Sequence, residues 1–315
     1  MKVFVAGATG AVGRLLVPLL VAGGHEVVGM TTRAEKSELL RRWGARPVVA
    51  DALDPESVGV AVSEAAPEAI VHQLTALSGG VNPRHQERDM ALTNRLRTEA
   101  TDHLLSAGRA VGIRRFVAQS FAVGTFARTG GAVKVEDDPL DPNPPGPLRT
   151  SLDAIRHVEN AVAGAEWTTG IVLRYGALYG PATSLAGDPP GEQVEMVRKR
   201  RFPLVGRGGG VWSFTHVEDA AGAAVAALDH GRASIYNIVD DEPAPVSEWL
   251  PALAVALGAK PPVRIPRWIG RLVAGEGVAV MMTEVRGASN EKAKRELDWQ
   301  PRYPSWRQGF ATGLG

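Results

Sequence analysis

The first thirteen residues constrain this chain more than any other stretch. Residues 3–6, Val-Phe-Val-Ala, are a continuous apolar run, as expected of a parallel strand covered on both faces. They break directly into Gly7-Ala8-Thr9-Gly10-Ala11-Val12-Gly13, and a helix-like pattern follows from residue 14 to Gly23-Gly24. Three glycines spaced by two residues, set between a strand and a helix, serve a purpose beyond turning the chain. Gly7 permits a tight turn, Gly10 lets the backbone approach a pyrophosphate, and Gly13 lets helix and strand pack closely. The helix N-terminus then offers unpaired N–H groups and a partial positive charge to phosphates. Gly7, Thr9, Gly10, Ala11, Val12 and Gly13 are therefore candidate dinucleotide contacts.

The next strand, residues 26–30, ends in Thr31-Thr32-Arg33 with no acidic residue. An acid there would receive the ribose 2′-hydroxyl, whereas an arginine accommodates a 2′-phosphate. Thr32 and Arg33 thus favour NADP over NAD, with a bidentate guanidinium as the grip. The plainer reading of Arg33 is an exposed first residue of the following helix.

The same alternation continues. Strand patterns at 47–50, 69–73, 115–120 and 171–173 are separated by helical patterns at 34–43, 55–64, 87–110 and 152–162. This predicts an α/β fold, a Rossmann-type doubly wound parallel sheet with right-handed crossovers. A chain of 315 residues suggests about two units of ~150 residues. The expected division is a dinucleotide-binding domain over 1–180, rejoined by 212–240, and a smaller carboxy-terminal substrate domain from 181–211 and 241–315. Residues 121–147, rich in Gly, Pro and Asp, read as a long surface loop, with Asp137, Asp138 and Asp141 as turn and solubility residues.

Composition narrows the partners. Thirty-five Lys and Arg against 34 Asp and Glu give a net charge of +1, without the basic surplus of a nucleic-acid binder. The cluster Arg198-Lys199-Arg200-Arg201 reads as a solvated face. The absence of cysteine excludes disulfides and thiolate chemistry. No apolar run approaches the ~20 residues that span a bilayer, and no signal peptide precedes the first strand, so a cytoplasmic protein with no membrane partner is expected. The seven histidines show no metal-binding spacing, so no metal is expected. His216 reads as a structural histidine that could alternatively titrate beside a substrate, and Asp219 as the N-cap of an alanine-rich helix.

With these residues in view, the sequence resembles the short-chain dehydrogenase/reductase superfamily, in the extended branch that includes epimerases and dehydratases. Asp51-Ala52-Leu53-Asp54 is similar to the motif near the adenine, and Val71-His72-Gln73-Leu74-Thr75 to the segment lining the dinucleotide. Asn94 with Thr98 resembles the helix bearing the family's Asn. Leu173-Arg174-Tyr175-Gly176-Ala177-Leu178-Tyr179-Gly180-Pro181 resembles the turn beside the nicotinamide. Phe214-Thr215-His216-Val217-Glu218-Asp219, Tyr236-Asn237-Ile238-Val239 and Leu297-Asp298-Trp299-Gln300-Pro301 are similar to its later signatures. The resemblance adds Asp51, Ala52, Leu53, Gln73, Leu74, Thr75, Gln119, Tyr175, Gly176 and Leu178 to the cofactor-binding candidates. It also implies a possible homodimer formed by the helices at 87–110 and 152–162.

The departure lies in the chemistry. The superfamily's acid is a Tyr-x-x-x-Lys pair, and none of the four tyrosines here has Lys four residues on. Aligning Val158-Glu159 with the family's helix puts Ser151 at the Tyr position and Ile155 at the Lys position. Isoleucine neither positions a ribose nor supplies charge. Ser120 with Asn94 through water, or Tyr175 or Tyr179, are the remaining catalytic candidates. The leading expectation is an NADP(H)-dependent oxidoreductase acting on a small carbonyl or sugar-like substrate with a non-standard acid. The alternatives are a redox-neutral epimerase, dehydratase or cyclase, and a non-catalytic regulator that senses NADP.

Overall fold

The computed structural model describes residues 1–77 and 85–315. Among them, seven strands form one wholly parallel sheet. These are β1 (Lys2–Ala6), β2 (Glu26–Thr31), β3 (Arg46–Val49), β4 (Ala69–His72), β5 (Arg115–Phe121), β6 (Thr169–Tyr175) and β7 (Ser234–Ile238). Their spatial order is β7-β6-β5-β4-β1-β2-β3. The chain runs outward from β1 to β3, then returns to the other side of β1 as β4. The order reverses between β1 and β4, and the carboxyl ends of these strands open there into the crevice where such sheets bind ligands.

Both faces of the sheet are covered, which is why the strands are apolar throughout. On one face lie α1 (Gly13–Ala22) and α7 (Val217–His230), packed with Val3, Val5, Val117, Leu173 and Tyr175 in one core. On the other lie α3 (Pro55–Ala65), α4 (Gln86–Val111) and α5 (Gly146–Ala163), packed on Phe4, Ile70, Phe116 and Val172. Local chemistry sets several boundaries. Asp54 caps α3 by accepting from the Glu56 N–H at 3.0 Å, with Pro55 at the first position. The cap of α7 is His216, whose Nδ1 accepts from the Glu218 N–H at 3.2 Å, rather than the expected Asp219. Asp219 instead accepts from the backbone N–H groups of Arg302 and Tyr303 at 2.7 and 3.1 Å, anchoring the carboxy-terminal segment to α7.

A third core lies beyond the sheet, built from Trp212, Phe214, Trp249, Trp306 and Phe310. It joins the Tyr179 strand to α8 (Val246–Ala256) and α11 (Trp306–Thr312); the other α-helices among the described residues are α2 (Ser37–Arg42), α6 (Glu192–Arg198), α9 (Arg267–Thr283) and α10 (Glu291–Leu297). The segment 121–147 departs from the expected surface loop. Ala122, Val123, Phe126 and Ala127 are buried, and Val133–Lys134 pairs in parallel with Gly287–Ala288. Asp141, expected to be solvated, is buried and accepts from the Arg128 Nε at 2.9 Å. Proline and glycine density marked an irregular backbone, while the strand that pins it lies about 150 residues away.

Candidate active site

The glycine turn has the sterics its spacing implies. Gly7 has φ +89°, and a Cβ there would sit 2.7 Å from the Gln73 carbonyl carbon. A Cβ on Gly13 would meet the Gly7 carbonyl oxygen at 2.2 Å. Only glycine allows β1, the turn and α1 to close this tightly. α1 opens at Val12 with no side-chain cap and no acidic residue in its first turn. No side chain at the start of the helix therefore competes with an anion for its N-terminal N–H groups, although those of Arg14 and Leu15 already donate to the Gly10 and Val12 carbonyls, each at 3.0 Å. The residues present fit a dinucleotide pyrophosphate.

Two cations stand beside this turn. Arg33 is exposed just after β2. Lys36, three residues later, brings its Nζ to 3.5 Å from the Thr9 hydroxyl. Lys36 was not singled out from the sequence, although its position one turn after Arg33 is the signal that could have found it. Thr31 is buried and accepts from the Arg33 N–H at 3.2 Å, while Thr32 is exposed. Asp51 is exposed at the end of β3, with its carboxylate accepting from the Leu53 N–H at 3.0 Å, and Ala52 is buried beneath them.

On the far side of β1, the segment after β4 is held by side chains. His72 is buried; its Nδ1 accepts from the Leu74 N–H at 3.2 Å and its Nε2 lies 3.2 Å from the Leu96 carbonyl oxygen. Burial pushes its pKa down to about 4, so it stays neutral. Gln119 donates to the Leu74 carbonyl at 3.0 Å, and Thr75 is exposed. Gln73 donates to the Tyr175 hydroxyl at 3.2 Å, while its own Oε1 is buried with no partner among the described residues.

The catalytic candidates are placed very differently. Asn94 Nδ2 donates to the Ser151 hydroxyl at 3.3 Å, so these two residues meet across α4 and α5. Ser120 is buried and donates to Glu159 Oε1 at 2.7 Å. Glu159 is in turn gripped by both arms of Arg174, at 2.7 and 2.8 Å, with both side chains only 4% exposed. Ser151, Ile155 and Glu159 recur every four residues and share one face of α5. Glu159 and Arg174 were quoted only as parts of motifs, and their pairing is visible only once β6 lies beside β5.

Tyr175 and Tyr179 are not brought to the crevice. Tyr175 points into the core under α7, where its hydroxyl donates to the Ala220 carbonyl at 3.3 Å. Tyr179 is buried among Phe214, His216, Tyr303 and Phe310, its hydroxyl against Gly309. Burial raises the pKa of both. Neither is open to a substrate or poised as an acid. Gly176 and Leu178 lie between them; a Cβ on Gly176 would come within 2.6 Å of the Ser213 carbonyl oxygen, so its role is close packing. His216 is structural: its Nε2 lies 2.8 Å from the Gly313 carbonyl oxygen. No group of three or more His, Cys, Asp or Glu suited to a metal occurs among the described residues. None of the helices described is long and apolar enough to cross a membrane.

An open hollow of about 710 Å³ lies at the N-terminal ends of α4 and α5, lined among the described residues by His85, Gln86, Glu87, Arg88, Ala91, Gly146 and Pro147.

The model of the NAD dependent epimerase/dehydratase family matches residues 3–239. A Streptomyces protein named 3-diazoavenalumate denitrifying reductase is 44% identical over 311 residues, covering 98% of this chain and 99% of that protein. Among solved structures, the UDP-glucose 4-epimerase of Thermus thermophilus in complex with NAD is 26% identical with a TM-score of 0.74, covering 100% of this chain and 98% of the other. The UDP-glucose 4-epimerase of Thermotoga maritima, 22% identical with a TM-score of 0.77 and covering 100% and 97%, shares the fold.

Proposed function

This chain belongs to the NAD dependent epimerase/dehydratase family, and we propose that within it the protein is an NADP(H)-dependent reductase that removes a diazo group from a small organic substrate. The observation that carries the reading is the site without an acid. Ser151 and Ile155 occupy the α5 face where Tyr and Lys are expected, and the tyrosine hydroxyls of Tyr175 and Tyr179 are enclosed elsewhere. Carbonyl reduction needs a proton for the developing alkoxide. A cationic diazo group needs none: hydride enters, the C–N bond breaks, a C–H bond forms and dinitrogen leaves. The relative's name describes this kind of outcome. An acid-less site, a fault for a ketone, suits such a substrate.

When bound, the reduced nicotinamide supplies the hydride. The residues of the chain bind and orient. The Gly7–Gly13 turn receives the pyrophosphate, Arg33 and Lys36 the 2′-phosphate, and the segment 73–75 lines the dinucleotide. Ser120 is proposed as a positioning residue, since its hydroxyl is committed to Glu159. The hollow at the mouths of α4 and α5 holds the substrate. The 1–180 and 212–240 segments would form the dinucleotide-binding part, with the carboxy-terminal part closing the substrate side. Pairing of α4 and α5 across a two-fold axis would make a homodimer, checked by light scattering.

The test is direct. Purified protein with NADPH and an aryl diazonium compound should consume NADPH and release dinitrogen, labelled when the diazo nitrogen is labelled. Ketones and UDP-sugars should give neither consumption nor epimerised product. No turnover of diazo substrates alongside efficient ketone reduction would overturn the reading. Arg33→Asp with Lys36→Ser should lower the NADPH preference by about tenfold or more, seen by calorimetry. Equal affinity of the unaltered protein for NADH and NADPH would remove the assignment of NADP.

A further inference from the structure

We propose that Arg97, on α4, is the cation of the nicotinamide side of this site and donates to the hydroxyls of the nicotinamide-side ribose, beside the α5 turn that carries Ser151 and Ile155. The proposal rests on the reading of the crevice as a dinucleotide site.

Three observations place Arg97 there. It is only 6% exposed, and its Nε has no hydrogen-bond partner among the described residues. A guanidinium carries five N–H donors, and a buried N–H without an acceptor is costly unless a ligand completes it. Its height along the crevice follows from its neighbours on the same face of α4. Thr93 accepts from the Ala76 N–H at 3.1 Å, and Thr101 lies 3.1 Å from His72 Nε2. Arg97, one turn from each, lies level with residues 73–75 at the carboxyl end of β4. The third coordinate comes from α5. Asn94 meets Ser151 at 3.3 Å and Asp102 meets His157 at 2.8 Å, so α4 and α5 run parallel and Arg97 falls level with the α5 turn between Ser151 and Ile155.

The sheet order assigns the ligand. The 2′-phosphate and adenosine belong over β2 and β3, where Arg33 and Asp51 stand, and the pyrophosphate over β1. What remains for β4, β5 and α5 is the nicotinamide half, whose ribose offers vicinal hydroxyl oxygens to a fork of donors. Glu159 is the charged group that faces Arg97 electrostatically, but both oxygens of Glu159 are bonded to Arg174. Burial disfavours the charge on Arg97 and Glu159 partly offsets this, while Arg97 Nε keeps no hydrogen-bond partner among the described residues. The carboxylate that balances the site is held by Arg174, which leaves the Arg97 Nε–H for the cofactor.

Calorimetry with two ligands tests this on the full chain. NADPH carries the nicotinamide-side ribose, and adenosine 2′,5′-bisphosphate lacks it. Arg97→Gln should weaken NADPH binding at least tenfold and leave the bisphosphate unchanged, and Arg97→Lys should restore part of the loss. A purely structural Arg97 predicts equal weakening of both ligands together with a fall in melting temperature. That result, or unchanged NADPH affinity, would overturn the proposal. If the unaltered protein binds neither ligand, the dinucleotide reading itself fails, and this inference falls with it. Should Arg97→Gln fail to fold, Arg97→Lys alone decides: weaker NADPH binding with the bisphosphate unaffected supports it, and parity overturns it.

Discussion

The two halves of the crevice are built on different principles. On the β1–β3 side, the groups proposed to hold the cofactor sit in two short runs of the chain: the glycine turn from Gly7 to Gly13, then Thr32, Arg33 and Lys36. Their fitness is a matter of backbone sterics and exposure, and each works largely by itself. On the β4–β5 side, the buried candidates depend on distant partners: Ser120 on Glu159, Glu159 on Arg174, Asn94 on Ser151, Gln73 on Tyr175. A local determinant can be altered without disturbing the others. An assembled one fails when any single member is removed.

The sharpest way to break this comparison is to remove one member of the assembled half. Glu159→Ala leaves Arg174 buried without its carboxylate, which should cost about 3–5 kcal/mol of stability. Denaturant titration measures it, and a loss below about 1 kcal/mol would mean that the pair is solvated and the contrast false.

Acid should weaken the same half next. His72 is neutral in the fold, with a pKa of about 4 against an ordinary value of 6.5. The unfolded chain therefore binds more protons across this window, and stability falls as pH drops from about 6.5 to about 4. The full contribution is about 3 kcal/mol. His72→Gln, which cannot be protonated, should shed this dependence, so the stability gap between the two proteins should move with pH. A gap constant between pH 7 and pH 4.5 would refute the burial argument.

In the local half, Gly13→Ala forces a methyl against the Gly7 carbonyl oxygen and should cost about 1–3 kcal/mol while abolishing tight NADPH binding. Thermal melting and calorimetry separate the two losses. Retained binding would show that the turn can open without consequence.

The smallest effect is expected at Ser151. Ser151→Ala should keep more than a tenth of activity, a rise below ~1.4 kcal/mol in the barrier, because the proposed reaction draws no proton from it. Its hydroxyl merely receives the Asn94 amide. Turnover abolished by this change would return Ser151 to the role of acid and undo the account of diazo reduction.

Much of this is legible in the order of residues alone. The strand–helix alternation and the glycine spacing act within a few residues of one another, so the parallel sheet, the turn and the absence of Tyr-x-x-x-Lys follow from the order of residues. Apolar periodicity also marks which strands are covered on both faces. Contacts between distant residues left no such mark. Tyr175 and Tyr179 stand in a motif beside the expected nicotinamide, yet α7, and then α11 with Gly309, close over their hydroxyls. Asp141 looked solvated until Arg128 reached it, and the segment 121–147 looked free until Gly287–Ala288 paired with it. Arg97 carried no signal at all, because an arginine on a long helix is ordinarily solvent-facing. Its burial is decided by which face of α4 meets the sheet and by where α5 lies against it. Charge and hydrogen-bonding capacity belong to the residue type, but whether they are satisfied depends on what folding brings within about 3 Å.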